Sequence, residues 1–164
     1  MKKIVFALIM ITGIACFVIA CSRREEVPTV ETKVYFVDSE MNRLLPYSEN
    51  IIDADAEHQV SAVVDKLIAG HDDNDKIRRL LPDKRSCIST SVIDNIAYVD
   101  LSSEIARELP CSRDIEKLVI YQIVDSIAGV KGIRFVKFTV DGEVKQDFMG
   151  FYDMRNTYKY VYPE

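Results

Sequence analysis

Few side chains in this 164-residue sequence could do chemistry. Four cysteines stand at 16, 21, 87 and 111, two histidines at 58 and 71, and acidic residues crowd around His71. Asp100 and Ser102 bring a carboxylate and a hydroxyl close together, the raw material of an activated nucleophile. A serine needs a base within hydrogen-bond reach, and no histidine lies near this one in sequence. Ser102 therefore reads as the cap of a short turn over 103–108, and Asp100 as the polar position that alternates with Val99 and Leu101. No catalytic residue is assigned. The run His71-Asp72-Asp73-Asn74-Asp75 has the oxygen donors of a calcium loop but not their order. Calcium loops place ligands at alternate positions, with a glycine turn and a distal bidentate glutamate. Here the acids are consecutive and Lys76 follows, so the segment reads as a solvated connection. His58, between Glu57 and Gln59, reads as a surface histidine, and no metal or cofactor is expected.

The cysteines divide by position. Cys87 opens one strand of a hairpin and Cys111 lies just beyond the end of its partner. Antiparallel pairing would bring those ends together, and an oxidising compartment would permit a disulfide. Closing that loop would stabilise by roughly 3–4 kcal/mol in the chain-entropy account; two free, half-buried thiols are the alternative. Cys16 and Cys21 belong to a different material. Lys2 and Lys3 precede an apolar run from Ile4 to Ala20, broken only by Thr12 and Gly13, and Cys21-Ser22-Arg23-Arg24-Glu25-Glu26 turns polar. That is the pattern of a secretory signal peptide. The run of about 17 residues is at the lower limit for spanning a bilayer. Val18-Ile19-Ala20-Cys21 has the form of a bacterial lipobox, in which a cysteine after a small residue is diacylated and becomes N-terminal. Cys16 would lead into apolar Phe17-Val18-Ile19, whereas a lipidated cysteine leads into polar chain. Cys21 is thus the expected lipidation site, residues 1–20 the signal peptide, and acyl chains the anchor on an extracytoplasmic membrane face.

Aromatic residues gather near the C-terminus: Phe148, Phe151, Tyr152, Tyr158, Tyr160 and Tyr162. If the last stretch is extended, Tyr158, Tyr160 and Tyr162 share one face. Core cover or a sheet edge is the first reading. A protein interface through Phe151, Tyr152, Tyr158, Tyr160 and Tyr162 is the second. Stacking on the sugar rings of peptidoglycan is the third.

Elements must position these groups. The formal charge is −5, and with Lys2 and Lys3 set aside 21 basic residues become 19 against 26 acidic, or −7. Such a domain repels a phosphate backbone, which argues against nucleic acid as a partner. Residues 21–32 carry the lipidated cysteine and a charged tether with Pro28. Residues 33–164 form one domain. Val34-Tyr35-Phe36-Val37 is a buried strand; Val60, Val63, Val64, Leu67 and Ile68 share one helical face that Gly70 ends. Ile88, Thr90 and Val92 alternate with serines, Asp94-Asn95 turns the chain, and Ala97, Val99 and Leu101 return. Ser112 caps a second helix with Ile115, Leu118, Val119, Ile123 and Ile127 on its apolar face, ended by Gly129. A strand from Ile133 to Val140 meets an Asp141-Gly142 turn into Glu143-Val144-Lys145. The β-α-β-β-α-β order, with one further strand, predicts an α+β two-layer sandwich: two helices on one face of a mostly antiparallel sheet.

These residues resemble the GerMN domain, the sporulation and spore-germination domain. The likeness rests on Val34-Tyr35-Phe36-Val37-Asp38 with Arg43-Leu44-Leu45-Pro46, then Leu67-Ile68-Ala69-Gly70 and Leu81-Pro82-Asp83. It continues through Ile96-Ala97-Tyr98-Val99-Asp100-Leu101-Ser102, Gly129-Val130-Lys131-Gly132-Ile133-Arg134-Phe135, Val140-Asp141-Gly142 and Gly150-Phe151-Tyr152-Asp153. Ser48-Glu49 and His71 depart from the family's arginine and proline in two connections. The resemblance implies a bacterial envelope domain without known catalysis, similar in fold to the ring-building modules of envelope machines. It implies envelope proteins or further copies of itself as partners, with the membrane reached through acylated Cys21.

Overall fold

A computed structural model describes residues 27–72, 75–83 and 86–160 of the chain. Strand β1 (Thr29–Asp38) and strand β2 (Leu44–Ile52) are followed by helix α1 (Ala56–Ala69) and the short strand β3 (Ile77–Arg78). Strands β4 (Cys87–Ile93) and β5 (Ile96–Leu101) precede helices α2 (Ser103–Glu108) and α3 (Arg113–Ile127), and strands β6 (Phe135–Val140) and β7 (Thr157–Tyr158) close the order. One sheet runs β2-β1-β3 and the other β4-β5-β6-β7. Every pairing is antiparallel except β5 with β6, which run parallel from Ile96↔Phe135 to Leu101↔Val140. Parallel neighbours need a crossover, and α2 with α3 supplies it. The architecture is an α+β sandwich in which α1 and α3 pack on each other and on both sheets.

Local chemistry sets these elements. Asp55 caps α1 by accepting the His58 N–H at 3.0 Å, and Gly70 ends it at φ 82° with its N–H on the Lys66 carbonyl. The anticipated stripe of Val60, Val63, Val64, Leu67 and Ile68 is buried throughout. Asp94 and Asn95, at φ 49° and 66°, make the two-residue turn from β4 into β5, the backbone twist that a tight hairpin requires. One core joins Val34 and Phe36 of β1 to Leu67 of α1, Val99 of β5, Ile123 of α3 and Phe138 of β6.

Three features differ from the sequence expectation. The first is that the opening strand is half of a hairpin: β2 pairs along β1 from Thr29↔Ile52 to Val37↔Leu44, and β1 starts inside the segment expected to be tether. β2 alternates between half-buried and exposed positions, but Ile51 alone is fully buried, so its sequence lacks an apolar stripe. The second is that the chain after Asp141-Gly142 makes a single bridge, Val140↔Glu143, before leaving the sheet. The place beside β6 goes to β7 instead. The third is that polar positions of α3 outside its apolar stripe are buried too. Glu116, Gln122, Asp125 and Ser126 are buried with its apolar residues, because β1 lies on one side and the C-terminal segment wraps another.

Candidate functional site

Asp100 and Ser102 hold a corner of the fold together. The Asp100 carboxylate accepts from the Thr139 hydroxyl at 2.6 Å and from the Gly142 N–H at 2.9 Å. Ser102 caps α2 by accepting the Glu104 N–H at 3.2 Å. Beside it Asp141 accepts the Ser103 N–H at 3.0 Å. Hydrogen bonds from Ser103, with smaller contributions from Arg107 and Lys145, hold the Asp141 carboxyl below its usual range. The pair therefore pins the β6 turn to the β5–α2 corner.

The disulfide expected between Cys87 and Cys111 is not formed; both thiols are free. Cys87 sits opposite Leu101 on β5, but α2 carries the chain away before Cys111. The Cys87 thiol faces the Ser89 carbonyl and the Cys111 thiol the Met149 carbonyl. Burial, then the Asp100 carboxylate, push the Cys87 thiol up to about 11, so it stays protonated and unreactive. His58 is exposed and paired with Asp55 at 2.8 Å. His71 stacks on Tyr47, ring centroids 4.1 Å apart, with its Nε2 3.8 Å from Glu49. No group of three or more metal-ligating side chains occurs among the described residues. Asp73, Asn74, Cys21 and Tyr162 lie outside them.

The aromatic stripe is divided rather than shared. Tyr158 is a core residue: it packs edge-on to Phe138 and Tyr121, and its hydroxyl donates to the Asp153 carbonyl at 3.0 Å. An interface through Tyr158 is thereby corrected, because β7 turns that side chain inward against β6. The Tyr160 hydroxyl meets that of Tyr35 at 2.9 Å. Tyr152 lies under the Arg113 guanidinium, 5.8 Å from its ring centre. Phe151 is exposed.

Two surface features were not anticipated. On the outer face of the second sheet Ile93, Ile96 and Phe135 stand in register across β4, β5 and β6. Ile93 is 56% and Phe135 39% exposed, whereas Ala97, Val99, Val136 and Phe138 on the opposite face are buried. A row of large apolar side chains in water is the usual mark of an interaction surface. The pattern of alternation contained it, since Ile96 and Phe135 fall out of phase with the core positions. The second feature is a cleft of about 380 Å³ between β1 and the end of α3, lined by Glu31, Thr32, Lys33, Tyr35, Asp125, Ala128, Gly129 and Tyr160. Thr32 and Asp125 are more than nine-tenths buried there. Their Oγ1 and Oδ1 atoms have no hydrogen-bond partner. Gly129 allows the close approach, because a Cβ there would sit 2.6 Å from Thr32 Oγ1. The only sequence signal was a carboxylate placed between Val124 and Ile127 in an apolar last turn.

Fold and sites together define a small α+β domain whose candidate catalytic groups serve as structural clamps and whose outer sheet face ends in one apolar row. The chain belongs to the sporulation and spore germination family, Germane, whose model matches residues 33–146. Solved structures agree on the fold. A Clostridium perfringens protein provisionally described as a lipoprotein superposes with a TM-score of 0.57 at 19% identity, covering 81% of this chain and 89% of that one. The first GerMN domain of the sporulation protein GerM from Bacillus subtilis gives a TM-score of 0.55 at 13% identity, over 77% of this chain and 93% of that one. The tandem GerMN domains of the same protein give 0.55 at 15% identity, with 71% of this chain covering 40% of the tandem. No curated protein sequence matches the chain. No helix among the described residues is long and apolar enough to cross a membrane.

Proposed function

We propose that the protein is a lipoprotein of the bacterial envelope, anchored through acylated Cys21, whose GerMN domain is a non-catalytic module for binding envelope proteins. The observation that carries this is the apolar row Ile93, Ile96 and Phe135, in register on the outer sheet face with two of its members well exposed. Burying such a row against a partner's apolar surface gains roughly 25 cal/mol per Å² removed from water. Family membership and the resemblance in fold to a lipoprotein-like protein support the compartment. The Val18-Ile19-Ala20-Cys21 segment supports the anchor, since two acyl chains hold a protein to a membrane stably.

The test is crosslinking in cells of the tagged full-length protein, followed by mass spectrometry, beside a variant carrying Ile93→Asp and Phe135→Asp. Recurrent envelope proteins or self-ladders are expected with the native chain, reduced at least about fivefold in the variant while its thermal unfolding is unchanged. An identical capture profile from both proteins would remove the sheet face from the interface. A Cys21→Ser protein that remains in the membrane fraction would remove the lipid anchor.

A further inference from the structure

Seven large apolar side chains are exposed among the described residues, and three of them meet at one place. Val27 is 58%, Val30 37% and Ile52 56% exposed. The β1–β2 register gathers them at the open end of the first hairpin, where Thr29 faces Ile52 and Val30 faces Ile51. The Asp53 N–H donates to the Pro28 carbonyl at 2.9 Å, which fastens the chain after Ile52 beside the chain after Val27. Residues opposite each other share a face of the sheet, and neighbours along a strand alternate. Val30 therefore lies on the face of buried Ile51, and Ile52 on the reverse face. Apolar surface wraps both sides of this end. A cluster of that kind in water marks a surface that meets something else.

We infer that this end of the first hairpin rests on the lipid bilayer, with Val27, Val30 and Ile52 among the headgroups and the upper acyl chains. The inference rests on the lipid-anchor reading and adds a second, non-covalent contact to it. The tether decides the occupant. Six residues of chain lead from Cys21 to Val27, and an extended chain spans at most about 3.6 Å per residue, or about 20 Å in all. With Cys21 acylated, Val27 stays within that distance of the lipid, and Val27 is itself part of the patch. At such range a contact too weak to recruit a protein from solution forms as an intramolecular event, at an effective concentration on the order of millimolar. A protein partner would have to reach the patch between the domain and the membrane. Glu31 and Asp53, the exposed neighbours of Val30 and Ile52, are acidic. The attraction is therefore apolar, and the surface it suits is zwitterionic lipid.

The contact also sets how the domain stands on the membrane. The Val92 N–H donates to Glu57, in the first turn of α1, at 3.4 Å, so the β4–β5 turn with Ile93 lies toward the same end as Ile52. Envelope proteins held by the Ile93 row are then met close to the lipid surface. Val144 lies away from it, because it follows the Val140↔Glu143 bridge at the opposite end of β6 from Phe135.

The chain contains no tryptophan, so Ile52→Trp and Val144→Trp each install a single reporter at an exposed position, one in the patch and one at the far end. The experiment places the lipidated full-length protein in phosphatidylcholine vesicles whose acyl chains carry bromine, which quenches tryptophan on contact. Quenching of the Ile52→Trp chain is expected to exceed that of the Val144→Trp chain at least about threefold. Adding Val27→Asp and Val30→Thr should bring it down to the Val144→Trp level while the protein still floats with the vesicles. Val30→Thr alone keeps a β-branched strand residue and should lower the quenching about twofold with thermal unfolding unchanged. Ile93→Asp with Phe135→Asp should leave it as it was. Equal quenching at the two positions, or quenching that survives Val27→Asp with Val30→Thr, overturns the inference and leaves the anchor standing so long as the protein floats. A native chain that does not float removes the anchor and the inference together. Loss of crosslinked proteins from the Val27→Asp, Val30→Thr chain, with quenching unchanged, would assign the patch to a protein partner instead.

Discussion

Asp125 shows how far one side chain can set the pH response of a fold. Its carboxyl is raised from 3.8 to about 6 because burial disfavours the charged form. A carboxyl raised in the folded state binds its proton more tightly there than in the unfolded chain. Its stabilisation is therefore complete below the unfolded value near 4 and is lost as pH rises through about 6. The rise corresponds to at most about 3 kcal/mol. The charged and titratable groups that face the same cleft are Glu31, Lys33 and Tyr35 from β1 and Tyr160 from the C-terminal segment. Comparing native protein with Asp125→Asn cancels what those groups contribute in common. Urea unfolding of both proteins from pH 4 to 7.5 is the measurement. The native protein should lose its advantage over Asp125→Asn as pH rises, with the crossover near pH 6; parallel curves would mean that Asp125 is hydrated in the folded state.

At the scale of elements, the helix stripes that sequence periodicity assigned to the core are buried as expected, and the errors share one cause. The stripes of α1 and α3 and the Asp94-Asn95 turn depend on residues within a few positions of each other, so local pattern reads them. β2 escaped because its partner is a strand across a loop and its outer side is solvated: Pro46, Ser48 and Asn50 are exposed and look like connection. The buried polar residues of α3 could not be read locally, because their cover comes from β1 and from residues 146–160, both far along the chain. The cleft escaped for the same reason, since Thr32 and Asp125 meet only through tertiary packing. The same long-range cover decides the tyrosines. Tyr158 is buried against Phe138 and Tyr121, whereas Tyr160 is half-exposed beside Tyr35. Tyr158→Ala should cost about 3–4 kcal/mol, the usual range for removing a large core aromatic. Tyr160→Ala should cost less than about 1 kcal/mol. Denaturant midpoints of the two variants separate a core position from a surface one, and similar losses would place both rings in the core.

On the scale of the whole molecule, the family match and the folding unit do not end at the same residue. The match covers 33–146, yet the core continues beyond it. Met154 is fully buried, with Phe148 and Tyr158 nearly so. β7 pairs with β6 through Val136↔Tyr158 and Lys137↔Thr157. The Met154 N–H returns to the Gln146 carbonyl at 2.9 Å. Glu116, wholly buried in the first turn of α3, accepts the Met149 N–H at 3.1 Å and the Phe151 N–H at 2.8 Å. Without residues 147–164 that carboxylate would lose both donors, and Tyr121 and Phe138 would lose an aromatic neighbour. Burying Phe148, Met154 and Tyr158 contributes roughly 1.5–3 kcal/mol each, so their loss removes about 5–9 kcal/mol. Domains of this size hold only about 5–15 kcal/mol in total. A chain stopped after Gln146 should therefore fail to unfold cooperatively in thermal circular dichroism, although it keeps the whole family match. Glu116→Gln in the full chain should stay folded but exchange the Met149 and Phe151 amides faster, because one of its two acceptor oxygens becomes a donor. A truncated chain that melts cooperatively within a few degrees of the full one would show that the family segment closes its own core and that the C-terminal wrap is dispensable to it.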